Sequence, residues 1–118
     1  MSSPNLLNST VVLGKIEALQ LNTTKIDVVS NNAGSNTVIK LNNITITNYG
    51  TAAVTSNVFV NRNATDFAFV SGLLIPPNST LTVMGKDNSL YLEEGDKLSA
   101  SMSSNNSGNI FTSYELIS

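Results

Sequence analysis

Apolar positions in this chain recur every second residue over short runs, and no stretch carries a sustained 3.6-residue stripe. With the β-branched enrichment of the same runs, the alternation predicts strands at 11–13, 16–21, 25–29, 37–48, 53–61, 66–71, 80–84, 89–92, 97–102 and 109–117. Helix and strand compete only over Lys15 to Leu21, where the alternation of Ile16 and Ala18 favours strand. Turn residues punctuate the pattern. Asn31 to Asn36 reads as a loop, Asn48-Tyr49-Gly50 as a turn, and Pro76-Pro77-Asn78 as a break that no central strand could contain. Glu94-Gly95-Asp96 and Asn105 to Gly108 read as the turns of two successive hairpins, the first solvated and with a positive φ at Gly95.

The longest run changes phase. Its apolar residues stand at odd positions, Ile39 and Leu41, and then at even ones, Ile44 and Ile46. A one-residue slip sends side chains to the opposite face, so a bulge or a crossing between sheets is expected at Asn42-Asn43; the alternative is a strand apolar on both faces. The expected core is Ile26, Val28, Ile39, Leu41, Ile44, Ile46, Val58, Val60, Phe67, Phe69, Leu74, Leu81, Val83, Leu90, Leu92, Leu98, Ala100 and Ile110. Many short strands between close turns indicate an all-β antiparallel β-sandwich, jelly-roll or immunoglobulin-like. The sandwich is expected as a single domain over residues 15–118. Residues 1–14 differ: Leu6, Leu7, Val11, Val12 and Leu13 are interrupted by Ser, Asn and Pro, as in an N-terminal arm laid on a neighbouring subunit, an edge strand or a loose terminus.

Composition narrows the chemistry. The 118 residues include no His, Cys or Trp, which removes thiolate metal sites, disulfides and the usual base of nucleophilic catalysis. No Gly-x-Ser-x-Gly elbow and no glycine-rich phosphate loop occurs, so neither an enzyme nor a cofactor is expected. Charge is sparse at 12% of residues, the net charge is −2, and the six cations stand singly, which disfavours nucleic acid as a partner. No run approaches the ~18 apolar residues of a membrane span, and the first residues lack the basic and apolar regions of a secretory signal. Synthesis in the cytoplasm and no membrane partner are the expectation. Polarity rests on 17 Asn, 16 Ser and 12 Thr, which suit solvated strand faces.

Two groups remain as candidate sites. Glu93, Glu94 and Asp96 form the acidic cluster and could hold a hard cation through oxygen ligands, although neither a glycosidase pair nor an EF-hand spacing is present. Tyr49, Tyr91 and Tyr114, with Phe59 and Phe111, could face away from the core as interface anchors or sugar-stacking platforms, or fill a sandwich face. With Leu6, Leu7, Val11, Val12 and Leu13 of the arm, the three tyrosines are the interface candidates.

The series Val38 to Asn48, then Thr65-Asp66-Phe67, Ile75 to Leu81, Leu90 to Asp96 and the closing Ser113-Tyr114-Glu115-Leu116-Ile117 resembles the small virion structural proteins of tailed bacteriophages, especially marine and cyanobacterial ones. The likeness covers roughly residues 15–118, and its motifs mark turns and strands. The resemblance implies a virion component present in many copies, with itself and other virion proteins as partners and no catalytic residues to carry over. The expected role is a neck or collar, tail or fibre-attachment component. Alternatives are a head-decoration protein on the capsid and, in another class, a carbohydrate-binding module for host-surface glycans.

Overall fold

The computed structural model describes residues 12–85 and 90–118, and among these every regular element is a strand. They are β1 (Val12–Leu21), β2 (Ile26–Ser30), β3 (Val38–Asn48), β4 (Val54–Arg62), β5 (Thr65–Ile75), β6 (Ser79–Met84), β7 (Leu90–Leu92), β8 (Lys97–Met102) and β9 (Gly108–Ile117). The strands form two antiparallel sheets packed as a sandwich. One has the order β1-β9-β3-β6, with β7 also pairing β3; the other has the order β2-β8-β4-β5. Because β9 runs along the whole of one side of β3, β6 and β7 follow one another along its other side, β6 against 44–48 and β7 against 39–41.

This pairing is nested. The first strand pairs with the last, β2 with β8, β3 with β6 and β7, and β4 with β5, as in a long hairpin rolled until its two ends lie in one sheet. That order is the jelly roll, and it decides between the two sandwich types the sequence left open. It also changes the reading of two turns. Residues 93–96 and 103–107 join strands of different sheets, so they are crossovers between layers rather than hairpins. Among the described residues the one tight hairpin joins β4 to β5 through Asn63 and Ala64, both with positive φ, between the paired residues Arg62 and Thr65.

The expected phase change in β3 is present. Leu41 pairs with Tyr114 and Asn43 with Ser113, so Asn42 is the extra residue of a bulge, which keeps Ile39, Leu41, Ile44 and Ile46 all in the core. Residues 12–21 form one strand where two were expected, paired with β9 without a register shift from Val12↔Ile117 to Leu21↔Gly108. Three residues assigned to the arm, Val12 to Gly14, thus lie in β1. Leu6, Leu7 and Val11 lie outside the described residues, as does Ser89 at the start of an expected strand.

The core joins both sheets. Leu21, Leu41, Ile44, Ile46, Ile75, Leu92, Leu98, Val58 and Ile110 are its large fully buried apolar members, each contributing roughly 1.5–3 kcal/mol before entropy is subtracted. Three expected members are not there: Phe67, Phe69 and Leu74 are exposed. Leu74, opposite Thr55, lies on the outer face and Phe67, opposite Val60, at a thinly covered part of the inner one, while Phe69 is displaced by two irregularities in β5, between the pairs Ser56↔Leu73 and Val58↔Val70 and between Val58↔Val70 and Phe59↔Ala68. They displace the alternation so that Val70, Leu73 and Ile75 pack on the core while Phe69 becomes the unpaired bulge residue. A similar bulge at Val28 in β2 lets Val28 and its neighbour Val29 both be buried.

Candidate functional site

Two surfaces stand out, a groove at one open side of the sandwich and the free edge of β1. The groove has a volume of about 360 Å³ and is lined by Val60 and Arg62 of β4, Phe67 of β5, and Leu90, Tyr91 and Leu92 of β7. Phe67 pairs with Val60 and so shares its face of the sheet, but opposite it stands only the three-residue β7. It remains 57% exposed at the groove mouth, with the exposed Tyr91 on the facing sheet.

Arg62 orders the polar end of this groove. Its Nε donates to Asp96 Oδ1 at 3.0 Å and its Nη2 to Asp96 Oδ2 at 2.6 Å, a two-point fork; Glu93 Oε2 lies 3.2 Å from the same Nη2. The hydrogen bonds to Asp96, and then its charge, raise the Arg62 pKa above its ordinary value. Asp96 Oδ2 also accepts the Glu93 backbone N–H at 2.9 Å, and Gly95, with φ of 89°, allows the turn to close.

The acidic cluster is therefore built into the crossover. Asp96 is 1% exposed and Glu94 is buried, contrary to the solvated turn expected, because the crossover packs on the loop after β2. Glu94 Oε1 accepts from the Asn36 N–H, Gly95 N–H donates to Asn31 O, and Asn31 Nδ2 donates to Thr37 O and Leu92 O. Glu93 and Asp96 share Arg62 while Glu94 turns to Asn36, and among the described residues no three His, Cys, Asp or Glu side chains converge as a cation site would need.

The tyrosines separate. Tyr49 and Tyr91 are exposed, and the Tyr49 hydroxyl accepts from Gln20 Nε2 at 2.8 Å. Tyr114 packs partly buried on the core, and burial followed by the charge of Glu17 raises its pKa. Val12 and Leu13 are exposed on β1, and Ile16, at 67%, is the most exposed large apolar residue described. Sequence reasoning did not single out Ile16, Arg62 or Phe67 as surface features. Ile16 carried a signal, an apolar side chain on the face opposite Leu19 and Leu21 of the same strand; Arg62 carried none, since its partner lies 34 residues away.

A further ionic group lies on the sheet that carries Arg62. Lys25 pairs with Asp66, which also accepts from Asn61 Nδ2 at 2.8 Å, and the Lys25 ammonium lies 5.6 Å from the centre of the Phe59 ring. The Lys25 hydrogen bond, then that of Asn61, lowers the Asp66 pKa.

Fold and surface together define a jelly-roll module with an apolar groove and an open strand edge. Neither a protein-family model nor a curated protein matches the chain. Two solved structures are similar in fold. One is a protein of the Bacillus endospore appendages, a family of disulfide-linked pili, at 14% identity and a TM-score of 0.56, covering 100% of this chain and 96% of the other. The second comes from the acidic stable capsid of Helicobacter pylori bacteriophage KHP30, at 10% identity and a TM-score of 0.51, covering 93% and 90% respectively. At these identities the likeness shows a shared fold. This chain has no cysteine, so it cannot share the covalent linkage of the pili.

Proposed function

We propose that the chain is a non-enzymatic virion structural protein of a tailed phage, assembling in multiple copies as a neck or collar, tail or fibre-attachment component. The observation that carries this reading is the long regular edge of β1, which, among the described residues, leaves apolar side chains and one side of a ten-residue strand uncovered. An open edge of that kind is a hazard in a monomer and an asset in a symmetric assembly. The two similar folds come from a pilus and a phage capsid, both built from repeated subunits, which supports an assembly role. The sequence resemblance supports the virion. Binding would rest on packing and strand pairing rather than charge, in keeping with the sparse charge. A head-decoration role would use the same surfaces against a capsid. Mass spectrometry of density-banded particles tests the reading: it predicts the chain at a fixed, many-fold ratio to a single-copy virion protein, and its absence from banded particles would contradict it.

One observation favours a second reading. Phe67 and Tyr91 flank the groove beside Arg62, an arrangement in which a sugar ring could stack while its hydroxyls meet a polar end. A glycan array with the wild-type chain and a Tyr91→Ala variant tests it; the reading predicts signal lost in the variant, and a wild type at background would end it.

A further inference from the structure

Among the described residues the sandwich has four sheet edges, and three of them are poor templates for pairing. In β5 two register irregularities break the edge, β2 has five residues and a bulge, and the β6–β7 edge is made of two short strands with a shift at Ile44–Thr45. Such breaks are how sheets discourage edge-to-edge contact. β1 has none: ten residues, in unbroken register with β9, and with no strand among the described residues paired on the other side.

Its side chains are self-complementary. Val12, Gly14, Ile16, Ala18 and Gln20 lie on the outer face, and Leu13, Lys15, Glu17, Leu19 and Leu21 on the inner one, as the pairing with β9 and the burial of Leu21 require. When two β1 strands are laid antiparallel about a two-fold axis at Ile16, Ile16 stands opposite Ile16 of the second copy. Lys15 then faces Glu17 of the second copy, Glu17 faces its Lys15, and Leu13 faces its Leu19. Opposed residues of an antiparallel pair share a face, so both ion pairs form on one side and the isoleucines meet on the other. Ala18, beside Phe111, extends the apolar outer face. Neither Lys15 nor Glu17 takes part in an ion pair within its own chain among the described residues.

We propose that β1 is a homotypic docking edge, through which two copies join antiparallel about Ile16 into one continuous sheet. The Lys15 and Glu17 pair then sets the register: a lone edge lysine opposes indiscriminate pairing, while this alignment satisfies it twice. The inference rests on the assembly reading and deepens it by naming the surface.

A thiol trap tests it, since the chain has no cysteine of its own. Directly opposed antiparallel residues have Cα atoms about 4.5–5.5 Å apart, within the roughly 4.4–6.8 Å of a disulfide. Ile16→Cys in the full chain is therefore expected to give a covalent dimer under mild oxidation. Ala18→Cys is expected to stay monomeric on reducing-free gels, because in this register the two Cα atoms stand about 13 Å apart along the strand. Sedimentation supplies a second readout that keeps the native Ile16. Glu17→Lys is expected to weaken the dimer roughly three- to tenfold, and Lys15→Glu combined with Glu17→Lys to restore it. A wild-type monomer at millimolar concentration, equal trapping of both thiols, or no rescue by the double reversal would overturn the proposal. None of these results bears on whether banded particles contain the chain, so the two readings fail separately.

Discussion

Ala64 shows how a single residue carries a measurable cost. It occupies the left-handed region at φ of 62° in the two-residue β4–β5 turn, where glycine is favoured. The penalty for an L side chain there is roughly 1–2 kcal/mol, and the extra chain entropy lost by glycine is roughly 0.5–1 kcal/mol, so the balance favours replacement. Ala64→Gly is expected to raise stability by about 0.5–1 kcal/mol in urea unfolding, and a loss would contradict the turn geometry. Arg62→Ala should act in the opposite sense. It leaves the 1%-exposed Asp96 carboxylate without its fork, and because Arg62 is itself partly exposed the cost is set below that of a fully buried pair, at about 2–3 kcal/mol. Asp66 contributes through pH. Its carboxyl is held below the ordinary range by Lys25 and Asn61, so the stability it supplies is present above the unfolded-state pKa of about 4 and is lost as pH falls through the lower folded value. Asp66→Asn should therefore narrow the loss of melting temperature between pH 7 and pH 2.5; an acid limb unchanged in the variant would remove that assignment.

At the scale of elements, the strands were legible because their alternation is local, and most of what was missed is non-local. The bulge at Asn42 could be read from Ile39, Leu41, Ile44 and Ile46 alone, since both halves of β3 had to face one core. The bulges of β5 could not: Phe67 and Phe69 alternate regularly with each other, and only pairing with β4 shows that the phase shifts at Phe69. The turn at 93–96 carried the glycine signal of a hairpin, yet its flanking strands belong to different sheets, a property of the whole roll. Of the candidate surface, Val12, Leu13, Tyr49 and Tyr91 were legible as apolar or aromatic residues off the core pattern, whereas Arg62 depends on Asp96. Buried asparagines stitch the layers at crossovers in the same non-local way. Asn48 Nδ2 donates to Ala52 O, Ile75 O and Pro76 O, and its Oδ1 accepts from Gly50 N–H, tying the β3–β4 crossover to the β5–β6 one. Asn48→Ala is expected to cost about 2–3 kcal/mol by leaving buried carbonyls unpaired, with both crossovers losing hydrogen-exchange protection together. Loss of protection in only one of them would show that the side chain does not couple the two.

For the whole molecule, the jelly roll reconciles a stable core with a surface that still has somewhere to attach. Its nested pairing brings the first and last strands together in one sheet, so the edge of β1 is held in place by β9 along its full length while no strand among the described residues pairs on the other side. A module of this form can join a larger structure through its strand edge, without a disulfide; it needs copies. The central claim is that such copies are built into a particle. Gold-labelled antibody against the chain, viewed on intact phage particles by negative-stain electron microscopy, tests it most directly. The account predicts label at a repeated position on the particles, at the neck or tail for the attachment role and over the head for decoration. Intact particles that carry no label while disrupted ones do not yield the chain either would contradict it.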